Sequence, residues 1–137
     1  NRLRPGALEG RTLKDALEKM IREYQTLSNL QVDLHYEWVD VDMDVMIEDT
    51  IFRVIQESMT NAVRHGHASR MILHFFEDEE DYLIELQDNG VGFETLTYGY
   101  GLKQMMERIS ILGGQLQFES RDGFFTRVSL PKYKEGR

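Results

Sequence analysis

The 137-residue sequence contains no cysteine, only two prolines and one tryptophan. Without cysteine there is neither a disulfide framework nor a thiolate metal site, a composition compatible with a reducing compartment. No stretch approaches the roughly 20 apolar residues of a membrane-spanning helix, and no charged-then-apolar signal segment opens the chain. Basic charge is scarce: 16 Lys and Arg face 24 Asp and Glu, a formal net charge of -8. That balance argues against direct nucleic-acid binding, which relies on a broad basic surface to displace counterions from phosphates. Any phosphate-bearing ligand must be held by a few local groups.

The 41% hydrophobic content suits one folded domain with a real core. From the N-cap Thr12, the apolar spacing Leu13, Ala16, Leu17, Met20, Ile21 and Tyr24 predicts an amphipathic helix to about Leu27. Val32, Leu34 and Tyr36 alternate as a strand, and Asp40, Asp42 and Asp44 lead into a second helix from Val45 to His65. Residues 69–76 and 82–87 read as strands joined by a solvated acidic loop. A third helix covers Leu102 to Leu112 and ends at Gly113-Gly114. Strands Gln115 to Ser120 and Phe124 to Leu130 follow, split by an Arg121-Asp122-Gly123 turn. This order predicts a two-layer α/β sandwich, with about three helices on one face of a mixed, largely antiparallel sheet of about five strands.

The second helix has two faces. At about 100° per residue, Ile47, Ile51, Val54, Ile55, Ser58 and Ala62 share a core face. Glu57, Asn61 and Arg64 form an adjoining stripe, and His65 falls near the edge of the core. An amide oxygen from Asn61 suits Mg²⁺ when a polyphosphate supplies the negative charge, and Glu57 one turn earlier can accept a hydrogen bond from a reacting group. Arg64 and His65 can contact phosphate oxygens. By itself the helix also reads as a plain charged surface with an incidental Asn61.

Downstream, a strand delivers Asp88 to the turn Asn89-Gly90-Val91-Gly92. A carboxylate at a pocket floor accepts a hydrogen bond from the amino group of adenine and opposes the carbonyl of guanine. Gly90 and Gly92 permit close backbone approach or positive φ. Gly99-Tyr100-Gly101-Leu102 precedes the third helix, whose first amides can meet phosphate oxygens. Lys103 and Gln104 just inside that helix are either phosphate contacts or plain surface. The setting fits neither a Walker loop nor a dinucleotide fold.

Together these segments resemble the ATP-binding catalytic domain of sensor histidine kinases, within the superfamily that also holds DNA gyrase, Hsp90 and MutL ATPases. Glu57 to His65 resembles its N box, Asp88 to Gly92 its first glycine box and Gly99 to Leu102 its second. Gly101-Leu102, Met105-Met106-Glu107-Arg108 and Leu112-Gly113-Gly114 are most similar to the subfamily that pairs with response regulators carrying LuxR-type domains. Leu3-Arg4-Pro5 is similar to the segment where that subfamily's dimerisation helix hands over to the catalytic domain.

The resemblance implies a Bergerat-type fold. It implies ATP or ADP bound with Mg²⁺ through Asn61, adenine read by Asp88, and phosphates covered near Gly99 and Gly101. The implied reaction is γ-phosphoryl transfer to a histidine on a separate dimerisation domain, then to a response regulator, in a two-component phosphorelay. Residues 1–10 are then the end of a linker, 11–131 the catalytic domain and 132–137 a tail. The chain, which begins at Asn1, is expected to be a piece of a longer sensor: the piece monomeric, the whole homodimeric, and this domain cytoplasmic whether or not the parent is membrane-bound.

Two departures from the family pattern stand out. The last glycine box, usually Gly-x-Gly-Thr, reads Gly123-Phe124-Phe125-Thr126, which leaves Thr126 to approach adenine but removes the second glycine. Met106 and Gln104 replace a common Arg and Gly. His35, His67 and His74 read as structural or surface residues, so the phosphoacceptor is expected outside this chain. Two further readings are an anti-sigma serine kinase of related fold and a binding module without nucleotide chemistry.

Overall fold

The computed structural model describes residues 6–39, 42–93 and 100–132. The first helix, α1, spans Leu13–Leu27, and Thr12 caps it by accepting the Asp15 N–H at 3.1 Å. Strand β1 is Gln31–Tyr36; helix α2 is Val45–Arg64, capped by Asp44, which accepts from Met46 N at 2.8 Å. Strands β2 (Arg70–Glu77) and β3 (Asp81–Asp88) precede α3 (Tyr100–Ile111), β4 (Gln115–Ser120) and β5 (Phe124–Pro131). The expected elements are therefore present, in the expected order. Asp40, Gly99, residues 94–98 of the segment between the two glycine turns, Leu3-Arg4-Pro5 and residues 133–137 of the expected tail lie outside the described residues.

The sheet runs β1-β2-β3-β5-β4, with β1 parallel to β2 and every other pairing antiparallel. Alternation along β2, β3 and β5 sends Met71, Leu73, Phe75, Ile84, Leu86, Val128 and Leu130 to the helical face. There they meet Leu17, Ile21, Ile51, Ile55, Met59 and Ile109. A side chain of this size contributes about 1.5–3 kcal/mol when fully buried, so this seam dominates the stability. At the β1 end, Trp38 donates its Nε1–H to the Phe76 carbonyl at 2.5 Å and packs edge-on against Phe75 and Tyr82. Burial beside this cluster, reinforced by Glu48, pushes the Tyr36 hydroxyl up to about 12.

Two features differ from the sequence expectation. A 3₁₀ turn at Gly6–Leu8 places Leu8 wholly within the core, so packing extends into the stretch read as a linker. Ser58, expected on the core face of α2, is only half-buried and lines a cavity, while Phe52 and Met59 join the core in its place. Both α1 and α3 pack on α2, so its buried arc is wider than one stripe.

Candidate functional site

The C-terminal end of α2 and the turn after β3 are joined by backbone. At the helix end, the Asn61 carbonyl accepts from His65 N at 2.9 Å and Gly66 N at 3.0 Å, which leaves the Asn61 side chain outside the capping network. The Gly66 carbonyl in turn accepts from Val91 N at 3.0 Å. A Cβ on Gly90 would stand 2.5 Å from that same carbonyl oxygen, so the glycine is required for the turn to lie against the helix. Asn89 fixes the other side: its Oδ1 accepts from Ser69 N and Arg70 N, each at 2.9 Å. Gly92 adopts φ +66 in contact with the β4–β5 hairpin, where Ser120 Oγ accepts from Phe93 N at 2.9 Å.

Asp88 is the last residue of β3 and is only 6% exposed. Its Oδ1 accepts two backbone N–H groups, from Gly90 at 2.8 Å and Phe124 at 2.9 Å. Its Oδ2 has no hydrogen bond among the described residues, so one oxygen of a buried carboxylate remains for an outside donor. Thr126, 3% exposed, stands beside it on β5.

Both residues face a cavity of about 450 Å³. Its apolar wall is Met71, Leu86, Leu102 and Met105, with Phe124 at 5.1 Å from Phe93 and 5.5 Å from Phe118, centroid to centroid. Its polar rim is Glu57, Ser58, Asn61 and His65, with Gly66, Gly92 and Gly101 supplying bare backbone. Glu57 and Asn61 have no side-chain partner among the described residues. A cavity with apolar and aromatic walls, a buried acceptor and rim oxygens able to ligate a cation suits a heteroaromatic amine carrying a charged tail. The oxygens of Glu57 and Asn61 are also the hard donors that Mg²⁺ takes.

Of the residues expected at a site, the cavity gathers Glu57, Asn61, His65, Asp88, Gly92, Gly101, Leu102 and Thr126. Arg64 is exposed and does not line it, and Gly90 acts from behind the turn. Lys103 and Gln104 are exposed on α3 outside this cavity. Gly66, Phe93 and Phe118 were not foreseen, and Asn89 and Phe124 were expected only as parts of their glycine boxes, without a role at the site. The glycine directly after His65 was the available signal for Gly66; the phenylalanines converge only in the fold. Phe125, in the place of a family glycine, points to the opposite face of the sheet. There the Arg121 guanidinium covers its ring at 3.9 Å, so the substitution leaves the cavity clear.

Residues 46–134 match the family model described as histidine kinase-, DNA gyrase B-, and HSP90-like ATPase. The signal transduction histidine-protein kinase/phosphatase UhpB of Salmonella typhimurium is 35% identical over 96% of this chain and 27% of its own length. The sensor histidine kinase LiaS of Bacillus subtilis is 30% identical over 93% of this chain and 36% of its own. The chain thus spans about a quarter to a third of these relatives. Among solved structures, the Acinetobacter baumannii histidine kinase AdeS superposes with a TM-score of 0.76 at 19% identity, covering 89% of this chain and 64% of that one. The mycobacterial sensor histidine kinase MprB superposes with a TM-score of 0.65 at 16% identity, covering 87% and 91%. At those identities the likeness establishes the fold.

Proposed function

The chain belongs to the histidine kinase-, DNA gyrase B- and HSP90-like ATPase family, and on that premise we propose that it is the catalytic domain of a two-component sensor histidine kinase. It would present Mg-ATP for γ-phosphoryl transfer to a histidine on a separate dimerisation domain, from which a response regulator, of the LuxR type, takes the phosphoryl group. The full-length protein is then a homodimer whose catalytic domain works in the cytoplasm. The observation that carries the reading is the buried Asp88 carboxylate, with one oxygen committed to two backbone amides and the other left over in a cavity.

In this assignment Oδ2 of Asp88 accepts from the adenine amino group, Thr126 supports the base, and the ring lies along the Phe124 and Met105 walls. Gly92, Gly101, Leu102 and the neighbouring Gly99 cover the phosphates. His65 meets phosphate oxygens from the rim, whereas Arg64 reaches them only from outside the cavity. Asn61 would hold Mg²⁺, which neutralises phosphate charge when bound. Attack by an imidazole nitrogen on the γ-phosphorus breaks the bond to the β-phosphate oxygen and releases ADP. Glu57 takes the proton that the imidazole loses.

Gly101→Ala tests the role of Glu57. A Cβ there would lie 2.5 Å from the Glu57 carboxyl carbon, the movable end of a side chain, while the first turn of α3 gains a fraction of the roughly 1 kcal/mol that separates Gly from Ala in a helix interior. Thermal stability is expected to hold or rise while the transfer rate falls by about 10²-fold, the scale of a general base; an unchanged rate would remove Glu57 from the reaction. For the function as a whole, a purified histidine-bearing dimerisation domain supplied in trans should acquire acid-labile phosphohistidine from ATP. Acid-stable phosphoserine on a partner instead would assign the chain to a serine kinase.

A further inference from the structure

A second, smaller depression of about 230 Å³ lies between α1, α2 and α3. It shares Glu57, Gly101 and Met105 with the nucleotide cavity, so the two lie side by side and meet at the proposed general base. Its volume falls below the roughly 300 Å³ at which small-molecule sites begin and suits one or two side chains instead. Its far wall is closed by the Tyr24 hydroxyl, 2.5 Å from Thr60 Oγ1. Its charged lining includes Arg53 and Arg108, the latter from the Met105-Met106-Glu107-Arg108 motif that the nucleotide site leaves unused.

The two guanidiniums share one carboxylate unequally. Asp49 accepts from Arg53 Nε at 3.2 Å but stands 3.8 Å from Arg108 Nη1, beyond hydrogen-bond distance. The Arg108 guanidinium, on a side chain 38% exposed, makes no hydrogen bond among the described residues, and its ion pair there is the 3.8 Å approach to Asp49. A guanidinium whose N–H groups are not hydrogen-bonded, held only at ion-pair distance from Asp49, can take a second carboxylate in bidentate geometry. Asp49 is taken up mainly by Arg53, so Arg108 is the cation the groove offers, and on a chain of net charge -8 it orients an acidic partner. Glu57, at the opposite end of the groove, keeps that carboxylate at the Arg108 end.

We propose that this groove seats an acidic side chain of the protein segment that presents the acceptor histidine, with Arg108 as its main contact and Arg53 beside it. The assignment rests on the kinase function proposed above and adds a docking contact to it. Seating the acid at the Arg108 end, away from Glu57, leaves the Glu57 end of the groove, which adjoins the nucleotide cavity, for the imidazole.

The test uses this chain with ATP and Mg²⁺, and the histidine-bearing dimerisation domain as acceptor. In Arg108→Ala the KM for the acceptor should rise about tenfold, the loss of one charge-assisted contact at an accessible site. The kcat and the affinity for Mg-ATP should stay within twofold. Arg108→Lys, which keeps the charge without the fork, should recover part of the loss, and Arg53→Gln should give a smaller rise. An unchanged acceptor KM in Arg108→Ala overturns the proposal. So does a parallel fall in Mg-ATP affinity, which would make the guanidinium a phosphate contact. If the unmodified chain binds ATP yet phosphorylates no histidine, the kinase reading itself fails and the docking assignment falls with it, an outcome separate from a selective null effect of the Arg108 variants.

Discussion

Asp88→Asn is expected to weaken ATP and ADP binding by about 100-fold while the protein stays folded. Asparagine keeps an Oδ1 that can accept from Gly90 N and Phe124 N, the two bonds that hold the turn at 2.8 and 2.9 Å. At the second position it offers an N–H donor where the carboxylate offered an acceptor, so the adenine amino group meets a donor. Losing a hydrogen bond to a charged group costs about 1.5–3 kcal/mol, and each 1.4 kcal/mol is tenfold in affinity. The loss should be equal for ATP and ADP, because it acts at the base rather than at the phosphates. Equilibrium binding of a fluorescent adenine nucleotide, with a melting curve as the control for folding, measures it. Affinity within twofold of the unmodified chain would take Asp88 out of base recognition.

Gly123→Ala is expected to cost about 3 kcal/mol or more of folding stability and to abolish nucleotide binding. Gly123 has φ +129, a region open essentially to glycine alone, where strain costs of order 1–3 kcal/mol. A Cβ would also press on the Asp88 carbonyl and stand 2.9 Å from Asp88 Oδ1. Neither atom can retreat, since Asp88 ends a central strand and its carboxylate is tied to two amides. The overlap adds to the strain, which places the variant in the severe range of single substitutions. Urea unfolding should show a lower midpoint with an unchanged slope. Gly10→Ala is the control for positive φ alone: its φ is +69, in the less strained left-handed region, and nothing lies within 4 Å of the added carbon. It should lose only the strain component, and equal losses at both positions would show that contact with Asp88 is unimportant.

Much of this site was legible because its parts are local. The bounds of α1 and β4 follow from a cap and an alternation that need no tertiary context, and Asp88 and the glycines after it stand where a strand must end. The order β1-β2-β3-β5-β4 and the parallel β1-β2 pair were not legible, since they depend on how distant strands meet. The same holds within α2. Counting residues around the helix puts Arg64 and His65 on either side of Asn61, and only the placement of β3 and α3 decides that His65 faces the cavity. Phe125 was more readable than it first looks: it alternates with Thr126 along β5, so a strand that turns Thr126 inward must turn Phe125 outward.

Calorimetric titration of ATP into the purified chain, with and without Mg²⁺, tests the central claim most directly. The account predicts one ATP per chain, tighter binding in the presence of Mg²⁺, and loss of that binding in Asp88→Asn. Absence of binding by the unmodified chain with Mg²⁺ present, or binding that Asp88→Asn leaves intact, would contradict it.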